Sequence, residues 1–126
     1  MAALSTQAVV QAARQAGYQV ALVERLRANR LLLTLTDTTG ATVVLLVQAR
    51  PLIIAADVLD LAEIVRVRRP ARGILWAYAG RFSPDAHRTL LELADHRLQL
   101  CTLLPPAAEP MSGTAWQGNP ALEPNQ

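Results

Sequence analysis

A chain of 126 residues with a formal net charge of +2 suits one domain, and its 52% apolar content is enough for that domain to bury a core. Aromatic residues make up only 4%, so the core has to be aliphatic. All twelve basic residues are arginine, which excludes any mechanism that needs a lysine amine. The single cysteine, Cys101, excludes an intramolecular disulfide and fits a reducing compartment.

Residues 3–16 read as a first helix, with Ser5 or Thr6 as its cap and Gly17 as its stop. Residues 18–27 and 30–36 read as strands. The turn residues Asp37-Thr38-Thr39-Gly40 then lead into a third strand over 41–49, making the second and third strands a hairpin. Pro51 ends the pairing because it lacks the N–H that a ladder needs. Apolar residues at Val58, Leu59, Leu61, Ala62 and Val65 predict an amphipathic helix over 55–68, with Arg66, Arg68 and Arg69 at its C-terminal end. The run GILWAYA, residues 73–79, is of strand type. Ser83-Pro84-Asp85 writes a helix start as cap, first helical position and dipole-favoured acid, and the helix reaches about residue 95. Residues 98–103 read as a last strand.

The expected fold class is α/β: a mixed central sheet with flanking helices in the order αβββαβαβ. The expected domain spans residues 1–104. Residues 105–126 hold five of the eight prolines and read as a disordered Pro-rich tail whose one large apolar residue is Trp116. The apolar stretch over residues 43–62 is interrupted by Gln48, Arg50, Pro51, Asp57 and Asp60, which excludes a transmembrane span there. With no signal-peptide pattern at the start of the sequence, the expectation is a cytoplasmic protein without membrane contact.

The residues that could carry chemistry are few. His87 and His96 have no second ligand at metal-binding spacing and are expected on the exposed side of their helix. Cys101 reads as a buried core thiol. Gly17, Gly40, Gly73 and Gly80 are isolated and form no phosphate loop. The densest charge is the set Arg66, Arg68, Arg69 and Arg72, read either as a solvated helix end or as a phosphate-contacting patch.

The triplet Gln48-Ala49-Arg50 closes an apolar strand, and Gly80-Arg81-Phe82-Ser83 through Ala86 opens the helix after the fourth strand. With this element order, the chain resembles the restriction-endonuclease-like, or PD-(D/E)xK, superfamily. The Mrr-type branch, which carries Gln in the triplet, is the nearest in pattern. The resemblance covers roughly residues 3 to 104. It implies a site in which an Asp on the second strand and a triplet carboxylate hold Mg²⁺, while the triplet lysine orients the attacking water. In this sequence the hairpin count sets Gln48 opposite Asn29, Arg30 or Leu31, so Asn29, Arg30, Gln48 and Arg50 occupy the site positions, without an anion among them. Asp37 lies about 23 Å along the strands and cannot substitute. Glu24 or Asp57 leaning in is the one route to a metal.

The expectation is therefore a degenerate nuclease site with no catalytic residue and no metal, Mg²⁺ entering only if the nuclease alternative holds. The expected nucleic-acid contacts are Arg30, Arg50, Arg66, Arg68, Arg69 and Arg72, forming one patch that extends to the former metal site. DNA or RNA, a second copy of the chain, and a larger protein all stay open as partners. The alternatives to an inactive nucleic-acid-binding or scaffolding domain are a protein-interaction or dimerisation module and an active Mg²⁺-dependent endonuclease with an irregular site.

Overall fold

The computed structural model describes residues 4–107. The order of elements is α1 (Thr6–Gln15), β1 (Gln19–Arg27), β2 (Arg30–Thr36), β3 (Thr42–Gln48), β4 (Leu52–Ile53), α2 (Ala55–Arg68), β5 (Arg72–Ala77), β6 (Arg81–Phe82), α3 (Pro84–Leu93) and β7 (Leu98–Cys101). Five strands form one sheet in the order β1-β2-β3-β5-β7, and β4 pairs with β6 in a separate two-stranded ribbon. The β1-β2 and β2-β3 pairs are antiparallel, while β3-β5 and β5-β7 are parallel with helices in the crossovers. The mixed sheet matches the expected order apart from the two-residue strands β4 and β6.

Both faces of the sheet are covered, which explains why β2 and β3 are almost continuously apolar instead of alternating. Leu31, Leu33, Leu35, Val43, Leu45 and Val47 pack on the α1 side with Val9, Ala13 and Ile74. Leu32, Val44, Leu46 and Leu75 face the other way, against Val58, Leu61 and Val65 of α2 and Ala86 of α3. The sequence period in α2 is thus a buried stripe at Val58, Leu61 and Val65. Gly73 is needed where α2 crosses β5, since a Cβ there would lie 2.3 Å from Val65 Cγ2.

The helix starts follow their capping residues. Ser5 Oγ accepts from Ala8 N–H, and Ser83 Oγ accepts from Ala86 N–H with Pro84 in the first turn of α3. Packing continues beyond residue 104: Ala107 N–H donates to the Ala16 carbonyl at 2.8 Å, and Tyr18 Oη donates to the Pro105 carbonyl at 3.2 Å. Residues beyond the expected boundary at 104 are thus packed against the domain, with buried Ala107 set against Gly17. Trp116 and the rest of the expected tail from residue 108 lie outside the described residues. Among the described residues, no helix is long and apolar enough to cross a membrane.

Candidate functional site

The β2-β3 hairpin sets the geometry. Arg30 opens β2 and pairs with Gln48, the last residue of β3, while Ala77 at the end of β5 lies on the other side of Gln48. Asn29 sits in the turn before β2, where its carbonyl accepts from Ala49 N–H at 2.9 Å. Beyond Gln48 the chain turns at Arg50-Pro51 and forms the short β4. It then enters α2, whose first turn swings back beneath the strand ends. The turn is tight: Gly80 approaches so closely that a Cβ there would lie 2.0 Å from the Arg50 carbonyl oxygen.

This return path brings carboxylates into the site, and it overturns the expectation of a pocket without an anion. Asp57, only 3% exposed, accepts from Arg30 Nη2 at 2.7 Å on Oδ1. Arg50 Nη2 donates to both Asp57 oxygens, at 2.7 and 2.6 Å. The Ile54 N–H donates to Asp57 Oδ2 at 2.9 Å, so the same carboxylate also satisfies an otherwise orphaned amide at the start of α2. Asp60, one turn further along α2, accepts from Arg30 Nη1 at 2.8 Å.

Arg30 is the centre of the cluster. Its side chain lies between Gln48 and the two aspartates, with Nε donating to Gln48 Oε1 and each terminal nitrogen donating to a different carboxylate. A guanidinium suits this position because its fixed fork can address three acceptors at once and keeps its charge when buried. Arg30 is 8% exposed, whereas the Arg50 side chain is 38% exposed and covers the outer side of Asp57. Formally, two cations balance two anions. Arg50 Nε is buried and makes no hydrogen bond. A small pocket of about 270 Å³ opens here, with Arg27, Asn29 and Ala56 completing its wall.

A divalent magnesium ion needs several anionic or carbonyl oxygens with their lone pairs free. The donors here are Asp57, Asp60 and Gln48 Oε1, and each is already engaged by a guanidinium. Among the described residues, no three carboxylate, histidine or cysteine groups converge as a metal-ligating set. As arranged, these residues do not fit the metal.

Of the two carboxylates that sequence reasoning allowed as substitutes, Asp57 enters the site. Glu24 does not, being held by Arg68 through contacts of 2.6 and 3.1 Å. Asp60 was missed because it reads as a solvated helix position, and only the reach of Arg30 across the sheet reveals its role. Asp37 stays in its turn, as expected, accepting from Thr39 and Ala41 N–H groups and the Thr39 hydroxyl. These bonds, the hydroxyl first, hold its carboxyl below the ordinary range.

The basic stretch does not extend to this site, contrary to the single continuous patch expected. Arg72 lies beside Val43, at the end of the sheet opposite Gln48 and Ala77. Five strand residues separate the two ends, about 16 Å. The reason is the crossover: α2 leaves the end of β3 and must run back along the sheet before β5 can start parallel to it. Arg66 pairs with Glu63, Arg68 with Glu24, and Arg72 donates to Gln99 Oε1 at 3.2 Å. Arg69 is exposed at the left-handed C-cap of α2, with φ of 53°.

The remaining candidates carry little chemistry. His87 is exposed on α3, as expected, and meets the Phe82 ring edge-on at 5.8 Å between centroids, whereas His96 is exposed in the turn after α3, which ends at Leu93 and not near residue 95. Cys101 is half-buried rather than fully buried, and burial pushes its thiol up to about 12, which keeps it protonated and unreactive at neutral pH.

The sequence matches no protein-family model and no curated protein. The fold does have solved counterparts. EndoMS in its apo form superposes with a TM-score of 0.60 at 22% identity, over 79% of this chain and 45% of that one. A repair endonuclease from Pyrococcus abyssi gives a TM-score of 0.57 at 21% identity, over 82% of this chain and 49% of that one. The fold is restriction-endonuclease-like. The chain spans about half the length of these two endonucleases, and at this identity the likeness concerns the restriction-endonuclease-like fold alone.

Proposed function

We propose that this chain is a catalytically inactive nuclease-like domain, related to the Mrr-type branch through Gln48 and the start of α3, that binds nucleic acid or scaffolds a DNA-processing or defence complex. The observation that carries the proposal is Arg30. A buried guanidinium sits between Gln48, Asp57 and Asp60 in the place where the fold's nucleases need a hydrated cation. Arg30 cannot activate water as a metal does, because a guanidinium offers no open coordination position. Displacing it would leave a buried cation without partners, a cost of about 3–5 kcal/mol.

Nucleic-acid contact is then assigned to the arginines that retain free donors. Arg50, whose side chain is 38% exposed, lines the pocket beside the exposed Arg27, and guanidinium groups at such a surface match phosphate oxygens. Arg30, with each of its three nitrogens engaged by Gln48, Asp60 or Asp57, supports this contact indirectly by holding Asp57. At the far end of α2, Arg69 is the most available of the group Arg66, Arg68, Arg69 and Arg72.

The test has two arms. Plasmid and branched DNA incubated with Mg²⁺ or Mn²⁺ should remain uncut. Cleavage that disappears on Gln48→Ala overturns the inactive reading and favours the irregular nuclease built on Asp57. Anisotropy with labelled DNA and RNA should show binding at low salt that weakens as salt rises and drops several-fold with Arg50→Ala. Absence of binding at low salt removes the nucleic-acid part and leaves a protein-interaction module, the reading favoured by the exposed leucines of β1.

A further inference from the structure

Arg30 divides its hydrogen bonds among three acceptors that differ in how firmly they are fixed. Gln48 is 2% exposed and lies beside Arg30 at the end of β3. Asp57 is likewise buried, and the Ile54 amide and Arg50 donate to it as well. Asp60 is different. Its side chain is 51% exposed, although it meets Arg30 Nη1 at 2.8 Å.

An ion pair with one partner open to water contributes little, because that carboxylate is well hydrated when it lets go. A buried pair has no such alternative. Of the three contacts, the one to Asp60 is therefore the one that an incoming anion can replace. The charge of the pocket wall points the same way. Arg27, Arg30 and Arg50 line it together with Asp57 and Asp60, three cations against two anions. The surplus is a single positive charge, and Asp60 is the exposed group that keeps it so low.

We propose that Asp60 is an autoinhibitory phosphate mimic. It occupies the Nη1 donor of Arg30 and weakens the positive field of the pocket, so a nucleic-acid backbone has to displace it before Arg30 can take a phosphate oxygen. This rests on the reading of the pocket as a nucleic-acid contact and adds the residue that limits it. In the exchange Arg30 trades one anionic acceptor for another, while its bonds to Gln48 and Asp57 stay in place. Asp57 cannot play this part, since it also satisfies the Ile54 amide at the start of α2.

Anisotropy of labelled DNA, titrated with the full chain at several salt concentrations, tests the proposal, with Asp60→Asn set beside Glu63→Gln. Glu63 is also on α2, is 61% exposed and pairs with Arg66, but it does not line the pocket. Both changes remove one negative charge from an exposed position, so thermal unfolding should remain cooperative in each. Asp60→Asn should bind several-fold tighter at low salt. The slope of log affinity against log salt should also steepen by about one, as one more phosphate is engaged. Glu63→Gln should stay within about twofold of the parent and keep its slope. An affinity of Asp60→Asn equal to the parent's, or a gain that Glu63→Gln reproduces, overturns the inference and leaves the reading of the pocket intact. So does a gain with an unchanged slope, which would mean relief of repulsion through space and no new contact. Failure of both the parent and Asp60→Asn to bind overturns the reading and the inference together.

Discussion

The two ends of α2 carry the same kind of residue in opposite circumstances. At its start, Arg30 and Arg50 are drawn onto Asp57 and Asp60 in a pocket closed by strand ends, with Asp57 almost wholly buried. At its end, Arg66, Arg68 and Arg69 lie on the surface, and their ion pairs with Glu63 and Glu24 are open to water. Charges taken out of water depend on every partner, because the desolvation cost is already spent when the protein folds. Surface charges keep their hydration and lose little when a partner goes. Counting arginines therefore says little about stability or binding, while knowing which end of the helix they occupy says a good deal.

The sharpest way to break this comparison is Asp57→Ala. It strips Arg50 of its partner, removes one of the Arg30 contacts and frees the Ile54 amide. The expected loss is about 3–5 kcal/mol in urea unfolding. A loss below about 1 kcal/mol would show that the cluster is not integral to the fold.

At the other end, Arg68→Ala should cost about 0.2–1 kcal/mol, and the difference should shrink as salt is added. A salt-independent loss as large as that of Asp57→Ala would erase the contrast between the two regions.

Acid titration should release the surface pairs with the smallest effect of all. The hydrogen bond from Arg68 holds Glu24 below 4.5, and those from Arg97 hold Asp95 at about 2. Both folded values are depressed, so the stabilisation is fully present above the unfolded values and fades as pH falls through the folded ones. The window is therefore below about pH 4.5 for Glu24 and between about 4 and 2 for Asp95. Carboxylate chemical shifts followed by NMR would check it, and a titration of either group at or above its ordinary value would contradict the pairing.

Much of this was legible in the residues. Asp37-Thr38-Thr39-Gly40 between two apolar runs fixed the hairpin closely enough to bring Gln48 opposite Arg30, because a short turn leaves little freedom of register. Ser83-Pro84-Asp85 located the start of α3 for the same reason: capping is a local interaction. The strands β4 and β6 were not visible, since two residues carry no periodicity. The separation of the two arginine groups could have been inferred, because a helix between parallel strands must run back along the sheet.

What the sequence determined by itself was local or nearest-neighbour: the element order, the caps, the hairpin register, and the absence of a carboxylate at the β2 position opposite the triplet. What only the tertiary structure decided was the company that Arg30 keeps. Asp57 and Asp60 come from a helix 27 and 30 residues further along the chain. They meet Arg30 because the turn at Pro51 and the packing of Val58, Leu61 and Val65 against the sheet carry the first turns of α2 beneath the strand ends. That meeting depends on how the layers stack, and no spacing within the sequence encodes it.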